Sequence, residues 1–192
     1  MEHSKIAAII VLQLESSAGE PQVIYTHRRP DDDIAPGAWN IVLEHQEPYE
    51  ANTRETALRG VKEEIGISGN DKDLFYIGSI SDSFVKSGDI DPSHFDIDLY
   101  MLALHGEQHI KLSMDEATEL SYMPLNQLYD LGKLIKAHGV ENTPLINLTH
   151  SDKVILAEFH EKIIETARKI QIKGAFRSGE SMQATEPKIR SK

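Results

Sequence analysis

The apolar positions change period along the chain, and the changes mark its elements. Lys5 to Leu14 is dense in Ile, Val and Leu and predicts a strand buried on both faces. Turn residues follow from Ser16 to Pro21, and Gln22 to His27 alternates as a second strand, giving a hairpin. A polar loop from Arg28 to Gly37 carries three aspartates in a row, Asp31 to Asp33, before a short strand over Trp39 to Leu43. The period then moves from two to about 3.6. Between Ala51 and Ile65 the apolar residues Ala57, Leu58, Val61 and Ile65 share one helical face, and Gly66 supplies the stop. Leu74 to Phe84 and Ile97 to Leu104 read as strands separated by an acidic loop, Lys86 to Asp96. His109 to Leu112 reads as a continuation of the sheet. Pro124 sits at the start of a helix through His138, and Ser151-Asp152 cap a second long helix ending at Ile172. From Gly174 onward the residues are small, polar and basic, which predicts a disordered tail.

Strands, a helix, strands and more helices, in that order, predict an α+β chain folded as an α/β/α sandwich with a mixed sheet. We expect one domain over residues 1–173. Its core spans about 5–138, an added C-terminal helix spans about 151–172, and the tail covers 174–192.

Composition narrows the function. The formal net charge of −11 argues against nucleic acid or an anionic membrane as partner. It does not exclude an anionic substrate, because a bound cation reverses the local sign. The chain has no cysteine, so disulfides, thiolate nucleophiles and cysteine zinc sites are ruled out. The apolar run Ile6 to Leu12 is short and follows Glu2, so it reads as a strand and not as an export signal. No run approaches a membrane span. These features together suggest a cytoplasmic protein.

The chemistry concentrates in Arg59-Gly60-Val61-Lys62-Glu63-Glu64-Ile65-Gly66-Ile67. On a helix, positions 60, 63 and 64 fall toward one face, while Arg59 and Glu63 stand one turn apart and can pair. Adjacent carboxylates repel unless a cation lies between them, and hard divalent cations prefer such oxygens. The plainer alternative is a solvated face with one ion pair. Arg28 and Arg29 either meet substrate phosphates or pair with Asp31 to Asp33. Trp39, the only tryptophan, is either core or a platform for a base. Asp89, Asp91, Asp96 and Asp98 lack the glycine and final glutamate of a calcium loop. His105 and His109 have the spacing of a zinc pair, but Gly106 argues against a zinc helix.

The nine-residue stretch resembles the box of the Nudix family, Arg-Glu-U-x-Glu-Glu-x-Gly-U with U aliphatic. Arg59, Val61, Glu63, Glu64, Gly66 and Ile67 match in register. Gly37-Ala38-Trp39-Asn40 resembles the family's lead-in strand, and Glu119 to Leu125 its late strand running into a helix. The resemblance covers roughly Lys5 to His138. It implies a Nudix-like fold, Mg²⁺ or Mn²⁺ as cofactor, and hydrolysis of a diphosphate linkage in a nucleoside diphosphate derivative. It casts Glu63 and Glu64 as metal ligands and Arg59 as the residue that orients Glu63. Three positions depart from the family pattern. Its glutamate after the arginine is Gly60, its box-opening glycine becomes Glu44, and its upstream glutamate fits Glu50 only with one inserted residue. Glu44, Glu47 or Glu50 is then the replacement carboxylate, with Glu44 the choice for the metal. Glu116 or Glu119 is the candidate base. Two rivals stand beside the hydrolase. One is a degenerate module that binds a nucleotide without cleaving it. The other is a dimerising scaffold with helix 151–172 at the interface.

Overall fold

The computed structural model describes residues 4–15, 19–33, 35–84, 93–106, 108–115, 117–143 and 147–182. Among them seven strands form one sheet: β1 (Ser4–Gln13), β2 (Gln22–Arg28), β3 (Trp39–Asn40), β4 (Val42–His45), β5 (Leu74–Phe84), β6 (Ser93–Leu104) and β7 (Ala117–Pro124). Three α-helices accompany them: α1 (Thr53–Ile65), α2 (Leu125–His138) and α3 (His150–Met182). The backbone path runs β3-β2-β1-β6-β5, with β4 also paired to β1 and β7 to β2. β1 is parallel to β6, from Ser4 opposite Phe95 to Gln13 opposite Leu104, and antiparallel to β2 and β4, so the sheet is mixed.

β1 shows why the layers form. Its side chains alternate between faces. Ala7, Ile9 and Val11 join one apolar cluster with Ala57, Val61 and Ile65 of α1. Ile6, Ala8, Ile10 and Leu12 join the other, with Leu128, Leu131 and Ile135 of α2 and Ile155, Phe159 and Ile163 of α3. Each large aliphatic side chain buried this way contributes roughly 1.5–3 kcal/mol. The result is the expected α/β/α sandwich with an added C-terminal helix.

Several sequence expectations change. His109 to Leu112 does not extend the sheet. Lys111 N–H donates to the Ile65 carbonyl at 3.0 Å and Ser113 N–H to the Glu64 carbonyl at 2.7 Å. The segment satisfies carbonyls that the end of α1 leaves open, and this competes with strand pairing. β6 begins at Ser93, so Asp96 belongs to a strand and not to a loop, while Asp89 and Asp91 lie outside the described residues. Pro124 ends β7 and stands just before α2, and it is Thr149, not Ser151-Asp152, that caps α3 by accepting from Asp152 N–H at 3.2 Å. Finally, α3 runs nine residues past Lys173 to Met182, and 183–192 lie outside the described residues. The apolar residues of α3 from Ile155 to Ile170 are covered within the chain by the sheet and α2, while Ile172 is exposed.

Among the described residues, no helix is long and apolar enough to cross a membrane.

Candidate active site

α1 is fixed at both ends before any side chain acts. Asn52 caps it, accepting from Arg54 N–H at 3.0 Å and Glu55 N–H at 3.2 Å, and Glu55 reaches back to Ala51 N–H at 3.0 Å. Thr53 in the first turn donates to Asp98 at 2.6 Å and meets the Tyr100 hydroxyl at 2.9 Å, which ties α1 to β6. Arg54 pairs with Asp71 and donates to the Leu74 carbonyl. Gly66 closes the helix at φ 72°, in the left-handed region, with its N–H on the Lys62 carbonyl.

Arg59 is the hub. Its Nε donates to Glu50 Oε1 at 2.8 Å, its Nη1 to Glu63 Oε2 at 2.9 Å, and the same Nη1 lies 3.2 Å from Glu44 Oε1. Its Nη2 donates to the His45 carbonyl at 2.7 Å. One guanidinium from α1 thus gathers a carboxylate from β4, one from the connecting loop and one from its own helix. The hydrogen bond from Arg59 is the main reason the Glu50 carboxyl is held down at about 2, helped by the Glu47 N–H and the Thr56 hydroxyl. The same pairing, led by Glu50, raises the Arg59 guanidinium above its already high value. Glu50 is therefore a buried anchor, its side chain only 5% exposed, whereas Glu63 is half exposed.

Adjacent helical residues point about 100° apart, and the structure separates the two glutamates accordingly. Gly60 and Glu64 turn toward the protein with Val61, and Glu64 is 6% exposed. Glu63 stays at the rim with Arg59. Of the three positions expected on one face, 60 and 64 thus share the buried side and 63 stands apart at the rim.

The other expected residues lie elsewhere. Arg28 pairs with Asp32 at 2.6 Å, and Arg29 forms a two-pronged pair with Asp31 at 2.8 Å on both bonds. Both arginines are engaged within the β2–β3 loop. Trp39 packs on the cluster beneath α2 and α3, with its ring 4.6 Å from that of His27. Glu119, 3.7 Å from His27 Nδ1, alternates with Leu120, which packs on the α1 side. It therefore faces away from α1. Glu116 lies outside the described residues.

A NUDIX domain model matches residues 4–144. The chain belongs to the Nudix family. No curated protein matches it at a significant level. Solved structures share the fold at low identity. The NUDIX domain of Shewanella oneidensis NrtR, complexed with ADP ribose, is 12% identical over 89% of this chain and 90% of its own, with TM-score 0.57. A MutT/nudix family protein from Enterococcus faecalis is 17% identical with TM-score 0.53, over 64% of this chain and 44% of its own, so the chain spans less than half of that protein. The E. coli dihydroneopterin triphosphate pyrophosphohydrolase is 16% identical over 83% of this chain and 97% of its own, with TM-score 0.53.

The Nudix box thus forms the rim of α1 beside β4. Among the described residues, no three acidic or histidine side chains are already arranged to hold a metal. The donor chemistry nevertheless suits one. Glu44 Oε1 and Glu63 Oε2 converge on a single cationic atom, Arg59 Nη1. Both are hard oxygens, and Mg²⁺ keeps several water or phosphate ligands, so few carboxylates suffice. Sequence reasoning named Arg59, Glu63, Glu64 and Glu44. Glu50 stands out less in the sequence, because the one-residue insertion before the helix shifts it out of register.

Proposed function

We propose that this protein is a Nudix-type hydrolase that cleaves the diphosphate linkage of a nucleoside diphosphate derivative with Mg²⁺ or Mn²⁺, at reduced rate. The observation that carries this is the Arg59 hub, which holds Glu44 and Glu63 on one point at the rim of the box helix. Glu63, Glu64 and Glu44 would hold the metal, Glu44 and Glu63 from the rim where both reach Arg59, and Glu64 once its buried carboxylate is drawn toward them. The chemistry a divalent ion supplies there is neutralisation of diphosphate charge and acidification of water. Arg59 fixes the rotamers of Glu44 and Glu63, and Glu50 fixes Arg59 from the buried side. That preorganisation spares reorganisation when substrate arrives. Gly60 removes one carboxylate from the box, which is the reason for the reduced rate. Two structural neighbours support the substrate class by their names alone, one complexed with ADP ribose and one a pyrophosphohydrolase. The proposal extends to a cytoplasmic location and a homodimer, the latter checked by sedimentation.

Gly60 also favours a second reading, a module that binds a nucleotide and does not cleave it. One experiment separates the two. ADP-ribose, NADH, coenzyme A, dinucleoside polyphosphates and nucleoside triphosphates are offered with Mg²⁺ and Mn²⁺ to the wild type and to Glu64→Gln. Metal-dependent turnover that disappears in the variant supports the hydrolase. Nucleotide binding without turnover on any compound overturns it in favour of the module.

A further inference from the structure

Glu44 and the missing side chain of Gly60 meet where β4 packs against α1. A Cβ on Gly60 would lie 2.8 Å from Glu44 Cβ, 3.1 Å from Glu44 Cγ and 3.3 Å from Val42 Cγ1. Real Cβ atoms essentially never come under 3.0 Å, so something there must shift. Glu44 and any side chain at position 60 therefore compete for one space. Neither neighbour yields easily, because Val42 is core and Glu44 is held. Its Oε1 accepts from His45 N–H at 3.1 Å and lies 3.2 Å from Arg59 Nη1. A glycine in a helix interior is unfavourable by itself. Here it permits the close approach that brings the strand carboxylate onto the helix.

We infer that a carboxylate has been exchanged between helix and strand: Glu44 takes the place of the box glutamate absent at Gly60, as an oxygen donor to the divalent cation beside Glu63. The cation in this statement rests on the hydrolase reading above. The steric half does not. The exchange explains both departures together, since a glycine at 44 and a glutamate at 60 would restore the family pattern without crowding. It also predicts that either change made alone is harmful.

The test uses Mn²⁺ titration calorimetry and thermal melts on the wild type, Glu44→Gln, Gly60→Glu and the double variant Glu44→Gly with Gly60→Glu. Glu44→Gln keeps shape and is expected to retain the wild-type melting temperature while weakening Mn²⁺ by about tenfold or more. Gly60→Glu alone is expected to melt lower and to bind Mn²⁺ poorly. The double variant is expected to regain both properties. Undiminished Mn²⁺ binding in Glu44→Gln, or a Gly60→Glu protein as stable as wild type, overturns this inference alone. A wild type that binds no Mn²⁺ overturns the metal-dependent reading, and the donor role of Glu44 with it.

Discussion

Arg59 Nε donates to Glu50 Oε1 at 2.8 Å, and that contact puts a nearly sealed carboxylate behind the rim of the Nudix box. Glu50 also accepts from Thr56 Oγ1 and Glu47 N–H, both at 2.8 Å, so its oxygens are satisfied from three sides. Removing one partner of such a pair leaves a buried charge uncompensated, which is costlier than the pair is favourable.

Glu50→Gln is accordingly expected to lose about 2 kcal/mol at neutral pH, less than a fully buried pair because Arg59 keeps Glu63 and Glu44. The Glu50 pKa is depressed, from 4.5 to about 2. Its contribution is therefore complete above 4.5 and is lost as pH falls through about 2. Urea midpoints for wild type and variant should converge as pH approaches 2. A constant gap down to that pH would show that the carboxylate is not the source.

Asp152 titrates in the opposite sense. It is fully buried at the start of α3, and burial raises its pKa from 3.8 to about 7, against hydrogen bonds from Thr149 and the Ile41 N–H. A carboxyl with a raised folded pKa binds a proton in the folded state that the unfolded chain has released. Stability therefore falls as pH rises from 3.8 through about 7. Asp152→Asn keeps an acceptor for Ile41 N–H and removes the titration. It is expected to be more stable than wild type at pH values above about 7 and to approach it in acid. Parallel stability curves for the two proteins would count against this account.

Gly66 offers a test of how α1 ends. At φ 72° a Cβ is strained, and it would also stand 2.8 Å from the Lys111 carbonyl oxygen. Gly66→Ala should cost roughly 1–2 kcal/mol and should speed amide exchange at Lys111 and Ser113, which bond to the last turn. An unchanged urea midpoint would mean that the segment yields freely.

Trp39 is placed to hold structure. Its backbone N–H donates to the Asn147 carbonyl at 2.7 Å, a bond that any residue there would keep, while its ring packs on the cluster beneath α2 and α3. Trp39→Ala is expected to lower stability by about 2 kcal/mol, below the value for a fully buried tryptophan because its burial is partial. KM for whichever nucleotide the wild type hydrolyses should change little. A large rise in KM with stability intact would return Trp39 to the substrate.

Much of this was legible along the chain because periodicity reports burial directly. The run Lys5 to Leu14 announced a strand covered on both faces, and α1 declared itself through its apolar stripe and Gly66. The box was legible too, because its residues are close in sequence. Arg59 and Glu63 stand one helical turn apart and had to be neighbours once α1 formed.

What the sequence by itself determined is therefore local: element types, the box helix, the Arg59–Glu63 pair and the family likeness. What only the tertiary structure decided depends on segments far apart in sequence. Whether His109 to Leu112 would add to the sheet or serve the carbonyls of α1 depended on where α1 ended in space. Whether Arg28 and Arg29 faced a ligand or their own aspartates depended on the path of the β2–β3 loop. The relation of Gly60 to Glu44 belongs to this second kind, because a strand and a helix must first be packed before one side chain can fill the space the other leaves.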